Sequence, residues 1–425
     1  MGPGRRIALI AGAAAVTTVA APIAMAQQKV TGPVATYWMS AQTQTGFGIP
    51  GAGGAPDTSA MMRAMMGGGG AGAASKSLML QLGSGQTAPA PAADHLPPQG
   101  LQAGQALPLL TPRVVAPVRE TPEAYVPEQY QKPRGRMLIF WGCGERAKPG
   151  QPVVIDFAQL TAGRMPAGMA AFKGIDYRPM QPPAAGRNRT YGEWPNERTQ
   201  TSVPSNGSLV GAHTVRGNYS PQIDFTLAED QDFLGALNLT TNQKAPGGWA
   251  NLGWNLVGNA QAYLATAIGA GDGETMVMWT SSESQAAAFA MPDYLSQSDI
   301  TRLVASKALM GPATRSCQVP KEVIDVAPQA MLQLVAYGGE ANFVHPPRPS
   351  DPRAAWNQQW AVKVRYRSAT GGLLGMDMNE MMGGGRNTAQ PGSDRPGPQQ
   401  RPPRRPSAAD ILRGGILGGG LPFPR

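Results

Sequence analysis

Three histidines, two cysteines and one tight acidic run are the residues of this chain whose chemistry reaches beyond packing. A histidine works as a general base or a metal ligand only beside suitable partners. His95 lies in Asp94-His95-Leu96-Pro97-Pro98, His213 in Gly211-Ala212-His213-Thr214, and His345 precedes Pro346-Pro347. None has a second His or a Cys at metal-ligand spacing, and the chain holds neither a Gly-x-Ser-x-Gly elbow nor a His-Glu-x-x-His run. A triad gathered from distant residues is defined by geometry and stays open. The local sequence favours loop histidines with no role, so no catalytic residue is assigned. Glu229-Asp230-Gln231-Asp232 offers carboxylates for a calcium ion, but such a cation wants roughly six or more oxygens, and a solvated loop accounts for the run.

Two Gly-rich stretches imitate nucleotide-binding loops. Gly46-Phe47-Gly48-Ile49-Pro50-Gly51 matches the dinucleotide pattern literally. A helix must open there to face a pyrophosphate, and Gly51-Ala52-Gly53-Gly54 after Pro50 cannot open one. Gly72-Ala73-Ala74-Ser75-Lys76-Ser77 has Ser75 where a phosphate loop needs Gly. Met61, Met62, Met65 and Met66, and again Met376, Met378, Met381 and Met382, suit Cu(I) in principle. No His accompanies either group, and flexible apolar contact surface explains both. No cofactor and no metal is expected.

The remaining chemistry is basic. Lys363, Arg365 and Arg367 alternate on one side of a strand-like segment, and Arg401, Arg404 and Arg405 stand in a Pro-rich tail. The chain carries a formal charge of +9. Residues 383–425 hold seven Arg against Asp394 and Asp410, so the basicity belongs to the tail. An anionic glycan or lipopolysaccharide fits these six residues electrostatically. Nucleic acid fits less well, because no aromatic residue interleaves with the tail arginines apart from Phe423. The alternative is a solvated strand face and a tail that confers solubility.

The elements that must position these residues are short strands. Among 425 residues, 54 are Gly and 41 are Pro, which makes part of the chain unfit for packing. Arg5 and Arg6 lead into an apolar run over 7–26 that closes on Ala24-Met25-Ala26, the pattern of a secretory signal peptide. The expectation is export, to the periplasm or the cell surface, with no transmembrane span in the mature chain. In such a compartment Cys143 and Cys317, the only cysteines, should form a disulfide.

After the leader (1–26), a β-rich part is expected over 27–160, with a Gly/Met-rich insertion at 46–76. A Pro/Arg/Asn-rich linker or loop follows over 161–205, a second β-rich part over 206–370, and a disordered Gly/Pro/Arg-rich tail over 371–425. The clearest strand is 360–367, with Trp360, Val362, Val364 and Tyr366 on one side and Lys363, Arg365 and Arg367 on a wet one. Asp272-Gly273 marks a hairpin between 260–268 and 275–280. Ser296 and Asp299 are spaced as a capping box, and Ile300, Leu303, Val304 and Leu309 form a stripe that predicts one helix over about 296–310, stopped by Gly311-Pro312. Met79-Leu80-Gln81-Leu82 returns as Met331-Leu332-Gln333-Leu334, a faint internal echo. The fold class is mostly β, with two antiparallel sandwich-like parts.

The stretch from Leu252-Gly253-Trp254 to Ala262-Tyr263-Leu264 resembles the second and third strands of fibronectin type III and immunoglobulin-like β-sandwiches. In that family a Trp packs beside a Tyr about nine positions on. Trp254 and Tyr263 have this spacing, and the resemblance spans about 206–370. The chain as a whole resembles exported proteins of Gram-negative bacteria that carry no assigned chemistry. The resemblance implies a scaffold and no activity. The expected function is therefore a non-catalytic envelope or cell-surface scaffold or binding protein. The rival is a carbohydrate- or peptidoglycan-active hydrolase whose carboxylates meet only in the fold.

Overall fold

A computed structural model describes residues 28–46, 74–112, 135–161, 178, 180–199, 201–285 and 291–376. The chain divides into two compact units, Met1–Met381 and Met382–Arg425, and every described residue belongs to the first. The proposed leader, the methionine groups at 61–66 and 378–382, Gly48–Gly54 and the tail arginines Arg401, Arg404 and Arg405 lie outside the described residues.

The described strands are, in chain order, β1 (Val30–Thr31), β2 (Ala35–Gln44), β3 (Ser75–Ser84), β4 (Ala93–Leu96), β5 (Leu107–Pro108), β6 (Arg136–Trp141), β7 (Val153–Asp156), β8 (Thr190–Trp194) and β9 (Gly211–Gly217). They continue with β10 (Ile223–Leu227), β11 (Leu239–Lys244), β12 (Ala250–Trp254), β13 (Ala260–Gly271), β14 (Thr275–Thr280), β15 (Ser316–Val319), β16 (Met331–His345), β17 (Trp356–Asn357) and β18 (Trp360–Leu373). Among the described residues, short α-helices accompany them: α1 (Phe157–Thr161), α2 (Gln297–Ala305) and α3 (Lys321–Val326). The fold is mostly β, as its alternating patterns predict.

One nine-stranded sheet organises the molecule, in the order β7-β6-β14-β13-β16-β18-β2-β3-β8. Its neighbours pair antiparallel except β6 with β14 and β2 with β18, which run parallel. Strands from 27–160 and from 206–370 thus share one sheet. Two smaller antiparallel sheets, β10-β9-β4-β5 and β11-β12-β15, complete the main core with it. Alternation does the sorting: Tyr37 and Met39 of β2, Leu80 and Leu82 of β3, Leu332 and Leu334 of β16, and Val362 and Val364 of β18 all enter that core.

The opposite face of the large sheet is also partly covered. Ile300 and Leu303 of α2 pack with Leu264, Tyr337 and Ala369. The isoleucine and leucine side chains among them each contribute roughly 1.5–3 kcal/mol when fully buried. The Ser296 hydroxyl caps α2 by accepting from the Asp299 amide at 3.1 Å. The helix is shorter than its sequence pattern predicts. It ends at Ala305; Lys307 turns left-handed (φ 58°), and the amides of Ala308 and Leu309 close back on the Leu303 carbonyl. Leu309 lies beyond the helix yet is buried in the same cluster as Ile300 and Leu303, and Met310 beside it pairs with Tyr263 of β13.

The predicted hairpin is present as β13–β14. Gly273 and Glu274 take positive φ at its tip (63° and 57°). Two expectations need correction. The stretch 161–205 is not all linker: it supplies β8, whose Thr190, Tyr191 and Trp194 are buried. Its proline and arginine content reflects the flanks of that strand. Gly192 within it is required, because a Cβ there would lie 2.6 Å from the Tyr219 hydroxyl. The tail boundary at 371 falls inside β18, which continues to Leu373 because Gly371 and Gly372 pair with Gln333 and Leu332. The echoed segments 79–82 and 331–334 lie in β3 and β16 of the same sheet.

Candidate functional site

The acidic run of the sequence ends up at a cleft of about 270 Å³. Asp230, Gln231 and Asp232 reach it from the turn after β10, Asn259 from the turn before β13, Gln261 from β13, Glu340 from β16 and Tyr366 from β18. At the wall of the cleft β16 slips register against β18 between Tyr337 and Glu340. Gly338 and Gly339 form the slip. A Cβ on Gly338 would meet Tyr366 at 2.9 Å, and one on Gly339 would meet the Gln261 amide nitrogen at 2.6 Å.

Much of the cleft is held by its own hydrogen bonds. Asp232 accepts from the amides of Leu209 and Phe233 and from the Ser208 hydroxyl, each at 2.7 Å. Glu340 pairs with Lys363 at 2.5 Å. The Tyr366 hydroxyl donates to the Gln231 carbonyl at 2.9 Å, and burial, then the Asp232 and Asp230 charges, push its pKa up. What remains open is a polar pocket of amides and carboxylates. Among the described residues, no three of His, Cys, Asp and Glu gather as a metal-binding group.

The strand face read as wet is enclosed at its centre. Arg367 is only 5% exposed; it pairs with Asp293 and donates to Gln42 at 2.7 and 3.0 Å. Arg365 donates to the Ser40 hydroxyl at 2.7 Å, with its guanidinium 5.0 Å from the Trp38 ring centre and 4.4 Å from that of Tyr294. Burial lowers its pKa. Lys363 spans Glu340 and the Trp38 ring. Lys363, Arg365 and Arg367 are thus gathered in one ladder with Trp38 and Tyr294, and each has partners within the chain. Segment 291–295 and α2 lie over this face, which strand alternation alone could not reveal.

The histidines are the larger surprise. His95 and His213 are not loop residues: they sit on β4 and β9, 0% and 1% exposed. The Tyr37 hydroxyl lies 2.9 Å from His95 Nδ1, His95 Nε2 lies 3.2 Å from His213 Nδ1, and His213 Nε2 lies 2.7 Å from the Leu209 carbonyl. Burial lowers the pKa of both, that of His213 to about 4. The only sequence signal was the strand pattern around each residue. His345, at the end of β16, stacks on Trp360 with ring centres 5.4 Å apart.

Cys143 and Cys317 stand at disulfide distance, with Cα atoms 5.4 Å apart. Cys143 follows β6 and Cys317 lies in β15. Backbone bonds flank the pair: Gly142 to Thr280 and Gly144 to Gln318. The Trp254 and Tyr263 rings pack at 5.8 Å, tilted by 48°. No described helix is long and apolar enough to cross a membrane. The chain matches no family of known proteins, and no curated protein or solved structure matches it.

Proposed function

We propose that this chain is an exported, non-catalytic scaffold or binding protein of the cell envelope. The observation that carries the reading is where the reactive side chains are used. His95 and His213 are committed to a buried hydrogen-bonded chain, and Cys143 and Cys317 are paired. The three strand cations are tied into an internal ladder. The leader pattern and the cysteine pair support an oxidising compartment outside the cytoplasm. The Trp254–Tyr263 packing supports kinship in architecture with fibronectin-like sandwiches.

Its partner is an anionic envelope component, a glycan or lipopolysaccharide, met through Arg401, Arg404 and Arg405 of the tail. With the strand cations engaged at home, the tail is the strongest source of net positive charge in the sequence, with seven Arg against two Asp over 383–425. Sedimentation of the mature protein with lipopolysaccharide vesicles is expected to show binding that weakens as salt rises from low to physiological levels. Deleting 383–425 should abolish that binding and leave the melting temperature unchanged. Equal binding by the truncated protein would refute the role of the tail.

A second reading, a glycan or peptidoglycan hydrolase, is favoured by one observation: Asp230, Asp232 and Glu340 line the same cleft. Release of new reducing ends from peptidoglycan by the intact protein, lost in Asp230→Asn and Glu340→Gln, would establish it and overturn the non-catalytic reading.

A further inference from the structure

We propose that Tyr37, His95, His213 and the Leu209 carbonyl form an acid-sensitive latch that holds the β10-β9-β4-β5 sheet against the nine-stranded sheet and releases it when the imidazoles take up protons. The direction of the hydrogen bonds follows from chemistry. A carbonyl only accepts, so His213 Nε2 carries a proton for Leu209. In the neutral ring His213 Nδ1 must then accept, and His95 Nε2 donates to it. His95 Nδ1 accepts in turn, from the Tyr37 hydroxyl. The ring nitrogens of His95 and His213 and the Tyr37 hydroxyl are all hydrogen-bonded with both rings neutral, and one tautomer of each is selected.

The chain joins two layers. Tyr37 belongs to β2 of the large sheet, His95 and His213 to β4 and β9 of the small one. Around them Phe225 of β10 stacks on His213 at 4.9 Å, and Phe343 of β16 packs on Phe225 at 5.4 Å. The titratable groups that reach the pair from the packed elements are Tyr37 and, through Tyr37, Tyr219. Asp94 and Arg216 are exposed, and Asp224 bonds Thr214 and Gln222 at the surface. Among the described residues, burial is the leading cause of the shift of both imidazoles, with the His213 charge second for His95.

Each added proton therefore costs the latch a hydrogen bond. A first proton is accommodated by reversing the chain: His213 then donates from both nitrogens, His95 donates to Tyr37, and the Tyr37 hydroxyl hydrogen loses its acceptor. A second proton sets two N–H groups head to head across 3.2 Å, between two cations in an apolar core. Two protons thus act as a coupled pair rather than as two independent sites.

The sign follows. In the unfolded or opened chain each imidazole regains a pKa near 6.5, whereas His213 in place has one of about 4. The closed state is favoured in full above about 6.5, and this contribution is lost as pH falls towards 4. For His213 alone the closing equilibrium should weaken on the order of 300-fold across that window.

Hydrogen exchange on the mature protein, corrected for intrinsic rates, tests the latch. Between pH 7 and pH 4.5 the amides of β4 and β9 should lose at least about tenfold of their protection, while those paired between β13 and β16 keep theirs. Imidazole carbon shifts of labelled His95 and His213 should report neutral rings until the same loss begins. In a His95→Gln/His213→Gln variant the differential loss should vanish. If that variant does not fold, the carbon shifts of the wild type decide. Protonated rings with β4 and β9 still protected, or simultaneous loss of protection in every sheet, would overturn the proposal.

Discussion

Replacing Cys143 and Cys317 together by Ser, or reducing the pair, is expected to lower the unfolding free energy by about 3–5 kcal/mol. The two residues are 174 positions apart. A cross-link over so long a loop removes much of the freedom of the unfolded chain, worth about 5 kcal/mol in the chain-entropy treatment. The lower end of the range reflects what survives without the bond. Gly142 still donates to Thr280, Gly144 to Gln318 and the Trp279 indole to Gly142. Glu322 still accepts from the Ala147 amide and pairs with Arg146. The bridge therefore ties the β11-β12-β15 sheet to the end of β6 along a seam that is already hydrogen-bonded. Urea unfolding of the oxidised protein and the double variant measures the difference. The oxidised protein, denatured without reductant, should leave both sulfurs unreactive to maleimide. Two reactive thiols, or an unchanged midpoint on reduction, would contradict the expectation.

What the sequence made legible is what obeys a local period. The alternation of 360–367, the Asp-Gly hairpin and the Ser296 cap each depend on residues within a few positions of one another, and each is in place. What it hid depends on distant strands meeting. Lys363, Arg365 and Arg367 read as a solvated face because nothing nearby in sequence announces Trp38 or Tyr294, which are brought in by a parallel pairing with β2 and by the segment before α2. His95 and His213 are 118 residues apart, and their contact needs β4 to pair with β9. The acidic cleft was half visible. The run at 229–232 stands out, but Glu340 joins it from β16, beside the slip at Gly338 and Gly339. Reactive residue types stand in the sequence itself; their partners are set by sheet order.

Trp254→Ala is expected to cost roughly 3–5 kcal/mol, the usual effect of truncating a large core aromatic. Trp254 is 2% exposed and ends β12, the central strand of its sheet, with its amide held by the Arg315 carbonyl. Its ring packs on Tyr263, whose hydroxyl in turn accepts from the Val257 amide at 3.0 Å. The turn between β12 and β13 is thus gripped by the pair, and removing the indole loosens both the core and the turn. Trp254→Phe should behave differently. The indole nitrogen is buried and finds no acceptor among the described residues. Losing that unmatched donor offsets about 1–3 kcal/mol of the lost packing, so the Phe variant should fall well short of the Ala variant in its effect. Trp279 supplies the control: it is equally buried, but its indole donates to the Gly142 carbonyl at 3.0 Å. Trp279→Phe gives up that bond and should cost more than Trp254→Phe. Urea midpoints followed by far-ultraviolet circular dichroism rank the variants without relying on the fluorescence that the substitutions remove. A Trp254→Ala midpoint equal to wild type would remove Trp254 from the core and with it the fibronectin-like reading of this half of the chain.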